Sequence, residues 1–301
     1  MKEYIHRDVY LQRLINRQRN GLIKVITGIR RSGKSFLLSR IFRQHLAVSG
    51  VDEAHIIEVA LDDERNESLL DRHQLGEYVR SRLEDGDDYY LFLDEVQRVE
   101  GFESVLNGLN RIENLDIYVT GSNSKFLSSD VITEFRGRGD EVHVQPLTFA
   151  EYCQSAVARP RPTTENWQEY LLYGGLPQVA QIGPEEEKAT FLKNLFKQVY
   201  LRDILDRHNL REDAVLSDLV NLLASNIGGL TNPTRLAKAF QSRGYAAVSD
   251  KTLSSYLSFL EDAFMISKAT RWDIKGKKYL ASPFKYYFAD SGIRNTVLNF
   301  R

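Results

Sequence analysis

Two kinds of hydrophobic pattern divide the chain, and the change comes after "PLTFAEYC" (146–153). Before it, five short runs are almost continuously apolar: "LIKVIT" (22–27), "HIIEVAL" (55–61), "YYLFLD" (89–94), "DIYVTG" (116–121) and "EVHVQP" (141–146). Such runs suit strands buried on both faces. Between them, "KSFLLSRIFRQHLA", "LLDRHQLGEYVRSRLE" and "GFESVLNGLNRIE" space their apolar residues three and four apart, so each predicts a helix with one buried stripe. The alternation predicts an α/β domain with a parallel sheet and helices on both faces.

The second half is mostly helical in pattern. "ARPRPTT" (158–164) is a proline-bearing loop and a candidate hinge. Helices follow from Trp167 to about His208, broken at "YGGLPQV" (173–179), where a glycine pair and a proline stop a helix. From Arg211 the pattern predicts three more, "DAVLSDLVNLLASNI", "NPTRLAKAFQS" and "SDKTLSSYLSFLEDAFMI", the last two opening on Asn232–Pro233 and Ser249–Asp250. The tail "ISKATRWDIKGKKYLASPFKYYFAD" alternates like a hairpin turning at "KGKK". Three helices and a basic hairpin give a winged helix-turn-helix outline. The expected domains are 1–155 (α/β), 156–210 (helical lid or linker) and 211–301 (winged helix).

Composition adds little until charge is divided along the chain. Hydrophobic residues at 42% and charged residues at 27% are ordinary for a globular protein. No apolar run reaches the roughly 20 residues of a membrane span, and the N-terminus lacks a signal-peptide core. One cysteine, Cys153, excludes an internal disulfide, so a cytoplasmic location is expected. The scattered histidines predict no structural metal site. Net charge is −1, yet Thr231–Arg301 holds 12 Lys and Arg against 5 Asp and Glu, a net of +7. That basic segment suits a nucleic acid, an acidic partner, or simply a solvated face.

The chemistry concentrates in two strand ends. "GIRRSGKS" (28–35) fits G-x-x-x-x-G-K-[S/T] between a predicted strand and a predicted helix, the context a phosphate loop requires. Its backbone, Gly28, Ile29, Arg30, Arg31, Ser32 and Gly33, would curl round phosphate oxygens, and the helix opening at Lys34, Ser35 and Phe36 would point its positive end at them. Lys34 would reach the β- and γ-phosphates, and Ser35 would bind magnesium. Arg30 and Arg31 fall at variable positions where side chains turn away, so packing or a subunit contact is expected of them. Some sixty residues on, "YYLFLDEV" leaves Asp94 and Glu95 at a C-terminal strand end, where ligands of parallel sheets bind. Asp94 would hold magnesium through water, and Glu95 would polarise the attacking water.

Weaker signals surround these. In "DIYVTGSNS" a γ-phosphate sensor is expected at Ser122, with Thr120 and Asn123 behind it; a serine-rich helix cap is the plainer alternative. In "FRGRGDE", Arg136 or Arg138 would stabilise transition-state charge in its own or a neighbour's site, against a surface ion pair with Glu134, Asp140 or Glu141. In "YGGLPQV", beyond the helix break, Pro177 is the candidate adenine contact of a lid.

With "IHRDVYLQRL", "FRGRGDEVHVQPLTFAEY", "VYLRDIL" and "KYYFADSGIRN" added in order, nearly the whole chain resembles a bacterial and archaeal group of AAA+-type P-loop ATPases. Their C-terminal half is a domain of unknown function containing a winged helix. The resemblance implies ATP and Mg2+ as ligands, Lys34 and Ser35 as Walker A residues, and Asp94 and Glu95 as Walker B. It also implies Pro177 as an adenine contact, because "GGLP" is similar to the G-x-P element of signalling ATPases. Members of that group usually continue past "DSGIRN" into a nuclease-like α/β domain, so a short member or a missing C-terminal part is expected. Three functions follow: an ATPase, oligomeric if an arginine acts in trans; a slow nucleotide-gated switch; and a DNA-binding regulator. The third is weakened by the helix at 249–266, whose outward Lys251, Thr252, Ser254 and Ser255 are followed by Glu261 and Asp262, a poor set for a DNA groove.

Overall fold

The five apolar runs become strands β1 (Ile23–Thr27), β2 (Ile56–Ala60), β3 (Tyr89–Asp94), β4 (Leu115–Thr120) and β5 (Gly139–His143). In the computed structural model, which describes residues 4–121, 135, 137–155, 157–208, 210, 214–270 and 284–300, they form one parallel sheet in the order β2-β3-β4-β1-β5. Both faces are covered, as doubly apolar strands require. On one, Val25, Val59, Leu91, Leu93, Ile117 and Val119 pack with Leu75 and Val79 of helix Arg72–Ser81 and Leu106 of helix Phe102–Leu109. On the other, Ile26, Phe92, Tyr118 and Val142 meet Leu14 of helix Asp8–Ile15 and Leu37, Ile41 and Phe42 of the helical stretch that starts at Lys34.

Two charged residues inside these runs, Lys24 and Asp116, are buried and break the apolar rule. Lys24 is fully buried on β1. Its ammonium donates to the Asp116 carboxylate and to the Leu22 carbonyl at 2.8 Å, and it lies 4.8 Å from the centre of the Tyr118 ring. Tyr118 Oη donates to the same carboxylate at 2.8 Å. A buried charge survives only with such partners.

The chain forms two compact units that part between Gln145 and Pro146. The second unit contains helices Thr163–Tyr173 and Glu185–Leu195, the latter passing through a π-helical stretch, Phe196–Leu201, into Arg202–Arg207. Helices Ala214–Ser225, Pro233–Ser242, Asp250–Asp262 and Ser291–Val297 follow. Both expected caps form: Asn232 accepts from Thr234 and Arg235 N–H, and Ser249 accepts from Thr252 N–H. Leu253, Tyr256, Leu257 and Leu260 are buried, the inner face their spacing predicts, but the helix stops at Asp262 and Phe264 is buried beyond it at φ +53°. Strands β6 (Leu230–Thr231), β7 (Ile266–Ala269) and β8 (Phe284–Phe288) form an antiparallel sheet, β6-β8-β7. The "KGKK" turn lies outside the described residues.

The candidate hinge begins at one buried residue and is otherwise largely exposed. Ala158 is fully buried, and its carbonyl accepts from Asn166 Nδ2 at 2.8 Å. The break at "YGGLP" is likewise held from outside its own helix. Helix Thr163–Tyr173 ends at Gly174 (φ +78°), and Gly175 N–H donates to Asp290 Oδ2 at 2.7 Å. Asp290 also caps helix Ser291–Val297, accepting from Ile293 N–H at 3.0 Å. Among the described residues no helix is long and apolar enough to cross a membrane.

Candidate functional site

The sheet delivers the predicted residues to one edge. β1 ends at Thr27, and the chain turns through Gly28 (φ +136°), Arg31 (φ +66°) and Gly33 (φ +94°) before the helix opens at Lys34. Glycine is required at 28, because a Cβ there would stand 2.2 Å from the Val144 carbonyl oxygen. Ile29 and Ser32 are buried, whereas Arg30, Arg31, Ser35 and Phe36 are exposed. The two arginines therefore turn outward, as their positions in the motif predict.

Lys34 lies over the loop, donating to the carbonyls of Gly28 at 3.0 Å and Ile29 at 3.2 Å. Burial pushes its ammonium down to about 8; the nearby Glu95 and Asp94 charges oppose this and Arg30 adds to it. The Ser32 hydroxyl is buried without a hydrogen-bond partner, unusual for a polar atom so enclosed. A phosphate group fits these features: a buried cation, an unsatisfied hydroxyl and a glycine-shaped loop at a helix N-terminus.

Asp94 and Glu95 reach the same edge from β3. Ser35 Oγ donates to Asp94 Oδ1 at 2.9 Å, and Thr120 Oγ1, at the end of the intervening β4, donates to the same oxygen. Thr120 Oγ1 also accepts from Glu95 N–H at 3.0 Å, fixing a residue whose backbone is left-handed (φ +53°). A non-glycine residue held there carries strain of the kind that gathers at functional sites. Burial pushes the Asp94 carboxyl up, Thr120 and Ser35 pull it down, and Glu95 and Asp62 raise it further. A hard divalent cation fits this donor set, a hydroxyl and two neighbouring carboxylates. Gln97 Nε2 donates to Glu95 Oε2.

Other predicted residues are placed differently. Arg138 immediately precedes β5, and its carbonyl accepts from Ile23 N–H at 2.8 Å at the start of β1. It therefore lies at the opposite end of the parallel strands from the phosphate loop. Its expected ion-pair partners are engaged elsewhere, Asp140 with Arg17 at 2.8 Å and Glu141 with Thr27 Oγ1. Ser122, Asn123, Glu134 and Arg136 lie outside the described residues. Pro177 is half-buried in the second unit.

Several neighbours of the loop had no sequence signal strong enough to find them. Thr27 Oγ1 lies 2.9 Å from His143 Nδ1, and burial together with the Lys34 charge pushes that imidazole down. Arg7 reaches the loop from the N-terminal segment, Nη1 donating to the Ser32 carbonyl at 3.2 Å; "IHRDVYLQRL" was the only hint. His55, Asp85 and Asp87 come within reach of one another, with His55 Nε2 3.1 Å from Asp85 Oδ2. This group precedes β2 and β3, at the sheet edge away from the phosphate loop.

Comparison with known proteins agrees with this geometry. Residues 20–153 match the AAA domain, and residues 164–301 match a domain of unknown function (DUF8612). An uncharacterized protein of Haemophilus influenzae is 34% identical over 300 residues, covering 99% of this chain and 74% of the relative. An uncharacterized protein of Methanocaldococcus jannaschii is 29% identical over 313 residues, covering 98% of this chain and 65% of the relative. Among solved structures, the Aeropyrum pernix ORC1 protein in complex with DNA aligns over 99% of this chain and 94% of that chain, at 13% identity and a TM-score of 0.40. The protein belongs to the same family as the Haemophilus influenzae relative, and its residues 20–153 match the AAA domain.

Proposed function

We propose that the protein binds MgATP at the 28–35 loop and hydrolyses it slowly, moving a C-terminal unit that contains a winged helix. The carrying observation is the 2.9 Å bond from Ser35 Oγ to Asp94 Oδ1, which joins the loop after β1 to the end of β3 across Thr120. Lys34 and the loop amides bind the phosphates, Ser35 and Asp94 hold magnesium, and Glu95 orients and polarises the attacking water. Bound magnesium supplies charge neutralisation of the phosphates. Ser122 and Thr120 sense the terminal phosphate, Pro177 meets the adenine, and Arg136 or Arg138 serves a neighbouring subunit's site in a homo-oligomer.

The Glu95 carboxylate accepts from the Gln97 amide through Oε2, which orients it. The output is then a conformational change, read by DNA or a protein at the basic C-terminal segment of a cytoplasmic protein. The order of the second unit supports a winged helix: helix, β6, two helices, β7 and β8.

Calorimetry with MgADP and a phosphate-release assay test this reading. Lys34→Ala lowers nucleotide affinity at least about 100-fold, the scale of a lost buried charge-assisted contact. Glu95→Gln retains binding and lowers turnover by about 100-fold or more, the scale of general-base catalysis. Unchanged hydrolysis by the Glu95 variant would sink the mechanism, and DNA affinity indifferent to salt would remove the DNA partner.

A further inference from the structure

We propose that Arg7 is a positioning residue that ties the phosphate loop to the chain's exit from the first unit, so that nucleotide in the loop is felt at residues 144–150. The inference rests on the nucleotide reading above and adds a route out of the site. Arg7 is buried, 5% exposed, under the loop. Its Nη1 donates to the Ser32 carbonyl at 3.2 Å and its Nη2 to the Gln145 carbonyl at 2.7 Å. Its guanidinium lies 4.5 Å from the centre of the Tyr10 ring, and Tyr10 Oη in turn accepts from Gln145 N–H at 3.0 Å. One side chain thus bridges the loop and the last residue before the second unit begins at Pro146.

Backbone contacts reinforce the bridge. Val144 N–H donates to the Thr27 carbonyl at 2.8 Å, and Gly28 approaches the Val144 carbonyl so closely that no Cβ fits. The start of the loop and the exit from β5 therefore touch directly, beside Arg7's anchor points. A planar guanidinium holds two separate carbonyls in fixed geometry, which an ammonium on a flexible stem does not. Phosphate in the loop draws Lys34 from the Gly28 and Ile29 carbonyls and gives the Ser32 hydroxyl an acceptor. The 32–33 peptide shifts with them, and Arg7 passes that shift to Gln145.

Hydrogen–deuterium exchange on the full chain, with MgADP as the probe, tests the bridge. Wild type gains protection at 28–37 and at 144–150. Arg7→Met binds MgADP about tenfold more weakly, the scale of lost charged hydrogen bonds. At saturating MgADP it retains protection at 28–37 and loses the change at 144–150. Arg7→Lys keeps the charge, guards against a simple folding defect, and also fails to restore the 144–150 response. A 144–150 response that survives in Arg7→Met, or returns fully in Arg7→Lys, overturns the bridge. Wild-type protection confined to 28–37 overturns it while leaving nucleotide binding intact. Absence of protection at both segments in wild type overturns the nucleotide reading itself.

Discussion

Two glycine-bearing turns, 28–33 and 174–175, look alike as sequence and differ in what fills them. Around the first, among the described residues, the Ser32 hydroxyl has no hydrogen-bond partner and the Lys34 ammonium donates to two loop carbonyls. Around the second, the chain supplies its own anion. Asp290 accepts the Gly175 N–H, and a Cβ on Gly174 would stand 2.2 Å from Asp290 Oδ1. The far side is as tight, since a Cβ on Gly292 would stand 2.0 Å from the Tyr173 carbonyl oxygen. "YGGLP" and "DSGIRN" are therefore two halves of one clasp. A glycine in sequence does not say what comes close to it: at Gly28 it is the Val144 carbonyl, and at Gly174 the Asp290 carboxylate.

The largest expected effect tests the clasp. Gly174 sits at φ +78° and ψ −167°, a region open essentially to glycine alone, with a carboxylate where a Cβ would go. Gly174→Ala lowers stability by at least about 3 kcal/mol, combining backbone strain with the clash, and the melting temperature by roughly 10 °C. Calorimetry on the folded fraction finds MgADP affinity retained. Lost affinity in a folded variant would bring this turn into the nucleotide site and dissolve the contrast.

Gly28→Ala is the counterpart, and its loss is read in binding. The added Cβ meets the Val144 carbonyl, which is backbone and has little room to give. MgADP affinity falls about 100-fold, equivalent to about 3 kcal/mol spent on a displaced loop. An alanine variant that binds as well as wild type would show that this loop tolerates rearrangement.

The contrast also marks how far sequence carried. Four of the five strands of the parallel sheet were legible as apolar runs, because burial leaves few polar residues in them; β5 is largely polar and starts two residues before the run that predicted it. That Lys34 and Ser35 would meet Asp94 and Glu95 was legible, because residues following two strands of one parallel sheet gather at its C-terminal end. What stayed hidden are pairings over long separations. Arg7 with Gln145 spans 138 residues, Asp290 with Gly175 spans 115, and Lys24 with Asp116 spans 92. No local period records which distant carbonyl or carboxylate a side chain will meet. Arg138 differs: it precedes the last strand of a parallel sheet, so its place at the end away from the loop was already legible.

The smallest effect is the sharpest test of what fills the second turn. Burial pushes the Asp290 carboxyl up to about 6 from 3.8, against the pull of the N–H groups of Gly175, Ile293 and Gly292. Between about pH 4 and pH 6 the folded chain therefore holds a proton that the unfolded chain has released. Stability from this group is greatest below pH 4, declines as pH rises to 6, and is level above, a span of up to about 3 kcal/mol. Carboxylates with depressed values, such as Asp63 beside Arg65, act in the opposite sense, so the whole-protein profile hides the effect. Asp290→Asn isolates it. The variant keeps the shape and escapes the cost of the buried charge, but loses one acceptor, so below about pH 5 it is about 1 kcal/mol less stable than wild type. Because it cannot titrate, its deficit relative to wild type widens as pH falls from 7 to 5 in denaturant titrations. A deficit that stays constant or narrows over that range would mean that solvent reaches the Asp290 carboxylate, and that the turn at Gly174 is closed by something other than a buried anion.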